Sequence, residues 1–163
     1  MSRDARGSLE RLFEFVYDEA RLIDDKRFDD WYELFTDDGI YWMPLTRDQP
    51  DGINHTSLLY EDKLLLKVRI ERLKSPRSFS QHQPSFCQHV LQQPVLESTD
   101  PDAGGWVTRT PFVYVESQGD TQLLLAGVSR LHIVEQDGRL RMRLKKVDLI
   151  MREAALPSIQ LFP

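Results

Sequence analysis

Four histidines (His55, His82, His89 and His132) and one cysteine, Cys87, are the side chains of this 163-residue sequence best suited to hold a metal or act as a nucleophile. A mononuclear non-haem iron site needs two histidines and a carboxylate converging with coordination positions left open. His82 and His89 lie seven residues apart, across a proline-containing loop and the start of a strand. That spacing matches no ligand pattern, so they read as a loop histidine and a strand histidine. There is no H-E-x-x-H, and a single cysteine cannot provide the ligands of an iron–sulfur cluster. The expectation is a chain without metal ligands.

Cys87 and His89 stand at i and i+2, so on a strand both side chains face the same way and a thiolate–imidazole pair is geometrically possible. A small buried thiol that packs as a hydrophobe is the plainer reading, because free cysteine is among the most buried residue types. No G-x-S-x-G elbow and no phosphate-cradling glycine loop occurs. General acid–base chemistry is the stronger rival. Tyr41, His89, Arg109 and Asp148 fall in or beside expected strands, and a pocket formed by a curved sheet could shift such groups. The alternative is that they pair at strand ends or face a partner.

The elements that would carry these residues begin with a helix. Leu9, Leu12, Phe13, Val16, Ala20 and Ile23 recur with the 3.6-residue period of one buried stripe, and Ser8 is placed to cap it. Phe28, Trp31, Tyr32 and Phe35 repeat the rule in a short second helix. "TDDG" (Thr36–Gly39) stops that helix, and "IYWMP" (Ile40–Pro44) reads as a short strand. The polar stretch Arg47–Asn54 is a loop. "LLLKVRIERL" (Leu64–Leu73) fits a helix or an alternating strand, and its many good helix formers favour the helix. "SPRS" (Ser75–Ser78) ends it, since the residue before proline avoids the helical region.

The second half is β. Expected strands are Cys87–Ser98, Trp106–Glu116, Thr121–Glu135 and Arg139–Met151, separated by short turns that imply an antiparallel meander. In the last of these, Leu140, Met142 and Leu144 alternate with basic residues. The apolar set then resumes out of phase at Val147, Leu149 and Met151. Such a phase change marks a β-bulge near Lys145–Lys146, which bends the strand. The expected fold is α+β: N-terminal helices packed in the concave face of a strongly curved, mostly antiparallel sheet, a cone rather than a sandwich.

Length fits a single domain over residues 1–163. The net charge of −5 argues against a nucleic-acid binder, and the basic run Arg139–Lys146 reads as a surface. The longest purely apolar run, Leu123–Val128, is far short of a membrane span, and the first residues show no secretory signal. A cytoplasmic location is the expectation.

The order of motifs resembles the small (beta) subunit of aromatic-ring-hydroxylating dioxygenases. The residues that carry the likeness are "FDDWYELFTDDGIYWMP", Tyr60-Glu61-Asp62, Val68 with Arg72-Leu73, then Pro84-Ser85 and His89. One departure is Phe86, which stands where the family often has a basic residue. The resemblance covers nearly the whole chain. It implies a cone-shaped, nuclear-transport-factor-like fold and no cofactor in this chain. It also implies a catalytic alpha subunit that carries a Rieske [2Fe–2S] cluster and a mononuclear iron. The small subunit would form a trimer supporting that partner in a mixed hexamer, with electrons supplied by a reductase and a cis-dihydrodiol as the usual product. Phe79, Phe86, Arg69 and Arg72 are then the candidate interface residues. The rival is a free-standing cone-fold lyase or isomerase acting through Tyr41, His89, Arg109 and Asp148. The sequence names no aromatic substrate, because the family's substrate ring sits in the other subunit.

Overall fold

The computed structural model describes residues 3–75, 83–100 and 104–163. Helix α1 (Arg3–Asp24) leads into a five-residue helix α2 (Phe28–Tyr32). Strand β1 (Phe35–Pro44), strand β2 (Ser57–Asp62) and helix α3 (Lys63–Lys74) follow. The remaining elements are strands: β3 (Ser85–Leu91), β4 (Val95–Asp100), β5 (Gly105–Gln118), β6 (Thr121–Gln136) and β7 (Arg139–Leu149).

The strands form one sheet of order β2-β1-β7-β6-β5-β3, with β4 also paired to β5. All pairings are antiparallel except β1 with β7. One hydrophobic cluster draws on α1, α2, α3 and the inner faces of β1, β5, β6 and β7, so the sheet curves around its helices as the cone expectation required. Tight turns with positive φ at Asp137 and Gly138 join β6 to β7. No described helix is long and apolar enough to cross a membrane.

Several expectations change. Ser8 is not a cap, because α1 starts five residues earlier at Arg3. The buried stripe of α1 gains Phe15 and Glu19, while Phe13 is only partly covered. Phe35 does not extend the second helix; it opens β1, and Thr36–Gly39 lies inside that strand at a register shift between Phe35 and Ile40. Tertiary pairing with β7 overrides the local helical spacing there.

Strand β2 was not anticipated. It pairs with β1 and hands the chain directly to α3, whose N-cap is Asp62; that carboxylate accepts from the Leu65 amide at 2.9 Å. The helical reading of Leu64–Leu73 holds, with Leu66 and Ile70 as its buried residues. The expected strand Cys87–Ser98 is two strands, β3 and β4, interrupted over Gln92–Pro94. Proline has no amide to donate to a ladder.

The bulge is on β7 but earlier than expected. Ile133 pairs with Met142 and His132 with Leu144, so Arg143 is the extra residue, and pairing is regular through Lys145 and Lys146. The inward set is therefore Met142, Lys145, Val147 and Leu149, and Leu144 is only half-buried. A lysine, rather than a leucine, is carried into the core.

Candidate functional site

The interior of the cone is unusually polar near its α1 wall. Lys145 Nζ lies 2.7 Å from Glu19 Oε1, and the same oxygen accepts from Trp31 Nε1 at 2.7 Å. The ion pair's side chains are 2% and 5% exposed. Such a pair can persist only because each charge has a matched partner.

The C-terminal end of α1 supplies Asp24, which clamps the start of the sheet. Its Oδ1 is 2.6 Å from His89 Nδ1 and 3.5 Å from Cys87 Sγ. Its Oδ2 accepts from the His89 amide and from Gln88 Nε2, both at 3.0 Å. A carboxylate oxygen only accepts, so Nδ1 carries the shared proton, and in the neutral tautomer that arrangement leaves Nε2 as an acceptor. Nε2 is buried and bonds to no described protein group. Tyr114 packs edge-on against the imidazole, with ring centroids 4.9 Å apart.

Asp24, Cys87 and His89 place three metal-capable atoms within 4.8 Å of one another. The sequence showed the Cys87–His89 pair but missed Asp24, because nothing local ties a helix-end carboxylate to a strand some sixty residues on; only "LIDDKRF", an acidic pair closing a helix, hinted at it. These atoms are engaged with one another, and burial pushes the Cys87 thiol up to about 12, reinforced by the nearby Asp24 charge. The cluster reads as a hydrogen-bonded clamp. Among the described residues, no group of side chains offers the ligand set of either iron group implied by the resemblance. A Rieske cluster needs two cysteines and two histidines, and the one described cluster offers a single histidine.

Residues 160–163 close the other side of the cone. The Glu116 carboxylate accepts from the Gln160 and Leu161 amides at 2.9 and 2.8 Å, and from the Tyr114 hydroxyl at 2.7 Å. Tyr41 donates to the Pro163 carbonyl at 2.7 Å. Phe162 is fully buried among Trp31, Phe28 and Tyr41, with ring centroids 4.6, 5.6 and 6.1 Å away. Burial drives both the Tyr41 and Tyr114 phenols well above their usual range.

The acid–base candidates divide by face. Tyr41 and His89 reach the interior. Arg109 and Asp148 do not: Thr108, Thr110, Val147 and Leu149 occupy the inward positions, so strand alternation turns Arg109 and Asp148 outward. Asp148 pairs there with Arg130 at 3.1 Å and Arg152 at 3.5 Å. The four residues therefore form no common site.

The interface candidates also separate. Phe79 lies outside the described residues, as does His82. Arg72 is exposed on α3. Arg69 is turned inward, 2.8 Å from Glu61 and 5.3 Å above the Phe162 ring, so it braces the residues that close the cone. The half-buried Glu61 carboxyl is raised by desolvation, an effect that Arg69 partly offsets.

Phe86 is exposed on the outer face of β3, with Lys26 Nζ 3.8 Å from its ring centroid. It shares that face with Val90, Val113 and Leu124, all exposed; Val90 pairs with Val113 on β5, and Leu124 pairs with Val115 beside it. Contiguous exposed apolar surface on a sheet marks an interaction face.

The family described as ring hydroxylating beta subunit matches residues 18–155. The chain is 35% identical over 92 residues to the small subunit of 2-halobenzoate 1,2-dioxygenase from Burkholderia cepacia, covering 53% of this chain and 56% of the relative. It spans little more than half the length of the curated relatives it matches first. In three dimensions it is similar to the beta subunit of benzoate 1,2-dioxygenase from Burkholderia mallei: 27% identity, TM-score 0.69, 90% of this chain and 92% of the other covered. A naphthalene 1,2-dioxygenase chain shares the fold at 15% identity, with TM-score 0.73 over 100% of this chain and 95% of that one.

Proposed function

The chain belongs to the ring-hydroxylating beta subunit family, and from that premise we propose that it is the beta subunit of an aromatic-ring-hydroxylating dioxygenase. The observation that carries this reading is the family match over residues 18–155, joined to a fold shared along most of its length with a benzoate dioxygenase beta subunit. In this role the chain supports a catalytic alpha subunit that holds the Rieske cluster and the mononuclear iron. It acts in the cytoplasm, self-associates as a trimer and takes no part in the oxidation.

The distribution of polar and apolar surface supports that division of labour. The cone interior, where a free-standing lyase or isomerase would hold its substrate, is largely occupied by Phe162 and by the Glu19–Lys145 pair, leaving a water-sized chamber beside them. The outer face of β3, β5 and β6 instead presents Phe86, Val90, Val113 and Leu124 to solvent, as an assembling subunit requires.

The test is isolation of the tagged chain from its native host under gentle conditions, with iron content and visible spectrum recorded. A brown complex containing a larger subunit, with a Rieske-type spectrum, is the expected result. A colourless preparation with no partner would overturn the reading. Leu124→Glu, placed on the outer face, should release the partner or the trimer on light scattering without loss of circular dichroism; unchanged assembly would move the interface elsewhere.

A further inference from the structure

Two buried polar atoms, His89 Nε2 and Thr110 Oγ1, line one chamber inside the cone, and no described protein group bonds to either. The chamber has about 10 Å³ for the centre of a water molecule, room for about one. Glu19, Ser129, Lys145 and Pro163 are among its other walls. The charged groups there are already matched, Lys145 to Glu19 at 2.7 Å. Left without a described partner are Nε2, an acceptor when its ring is neutral and fixed in orientation by Asp24 at 2.6 Å from Nδ1, and the Thr110 hydroxyl, with the spare N–H groups of Lys145 as further donors in the wall.

A neutral molecule bearing a hydroxyl group satisfies both at once. Its O–H donates to His89 Nε2, and its oxygen accepts from Thr110 Oγ1. Leaving either atom unbonded in a dry interior is unfavourable, which gives the ligand its driving force. We propose that this chamber is a binding site for a hydroxyl donor, water at its present size, and that residues 160–163 set that size.

The C-terminal residues limit the chamber's size. Pro163 forms part of its wall, and Phe162 is the residue just before it. Lys145 Nζ, also in the wall, lies 5.7 Å from the Trp31 ring centroid and 5.6 Å from that of Tyr41. Those two rings also flank Phe162. Removing the Phe162 ring therefore opens an aromatic-walled slot beside the chamber. The class of molecule that fits the joined space is a phenol, with its ring in the slot and its hydroxyl on His89 Nε2. A cavity without the polar end would not distinguish phenol from benzene.

The test has two readouts on the full chain, and neither depends on a partner subunit. Nitrogen-15 NMR of the wild-type histidines should show His89 neutral, with its proton on Nδ1 and Nε2 bare. A proton on Nε2 at neutral pH would overturn the proposal outright. Calorimetry should then show Phe162→Ala binding phenol about tenfold more tightly than benzene, the discrimination expected of one buried hydrogen bond. Thr110→Val in that background should weaken the preference, and His89→Leu should abolish it. Equal binding of benzene and phenol would mean an ordinary apolar cavity and would sink the idea. Phe162→Leu serves if the alanine variant unfolds, and the tautomer measurement stands in either case.

Discussion

Lys145, in the middle of β7, meets Glu19, in the C-terminal third of α1, at 2.7 Å with both side chains almost wholly buried. The contact joins the longest described helix to the sheet across a sequence separation of 126 residues. It exists because Arg143 is bulged out of the β6–β7 ladder, which turns Lys145 inward.

Breaking this pair from one side should be far worse than removing both partners. Glu19→Leu leaves a buried ammonium without its anion, and about 3–5 kcal/mol of stability should be lost. Glu19→Leu with Lys145→Met should recover most of that loss, although Trp31 Nε1 also loses its acceptor. Urea denaturation of the single and double variants checks this. Additive losses would show that the pair is not coupled.

The acid limb of the stability curve should depend on Glu97. Its hydrogen bond to Arg130, reinforced by that charge, holds the Glu97 carboxyl below its ordinary 4.5 despite some desolvation. The folded state thus binds this proton less readily than the unfolded chain. The contribution is complete above about pH 4.5 and is lost as pH falls through the depressed folded value. Arg130→Met should therefore differ most from wild type near neutrality, and the gap should close as the pH drops below 4.5. A gap that widens on acidification would refute the sign.

Cys87 should be chemically quiet. With its thiol held up at about 12, the thiolate fraction at pH 8 falls far below that of a free cysteine. Iodoacetamide should label the native chain on the order of a hundredfold or more slowly than the urea-unfolded chain. Comparable rates would mean that the Asp24 clamp opens readily in solution.

Gly127 should tolerate no side chain. A Cβ built there would lie 2.2 Å from the Asp148 carbonyl oxygen on the paired strand, where backbone rather than a flexible side chain would have to move. Gly127→Ala should lower stability by about 1–3 kcal/mol, as overpacked core sites do. Thermal unfolding measures it, and a neutral result would indicate that β6 and β7 can separate locally.

The α1 stripe, the helix over Lys63–Lys74 and the long hairpins of β5, β6 and β7 were legible because each is written in local periodicity and turn residues. Strand β2 was hidden because its edge position leaves it partly buried along its length, without a clean alternation. Phe35 misled because a helical spacing of aromatics is also compatible with a strand that begins at the last of them. Arg109 and Asp148 looked like cavity residues only while the facing of β5 and β7 was undecided.

By itself, the sequence determined that helices come first, the long hairpins of a curved, mostly antiparallel sheet and the kinship with dioxygenase small subunits, because period, turns and motif order are properties of neighbours along the chain. Only the tertiary structure decided which polar groups meet. Asp24 reaches His89, Glu19 reaches Lys145, and Glu116 anchors the amides of Gln160 and Leu161. Each of these contacts spans more than forty residues, and the position of a single bulged residue selects which face of β7 is buried. A one-residue shift of register reverses every side chain beyond it, and local periodicity does not carry that information.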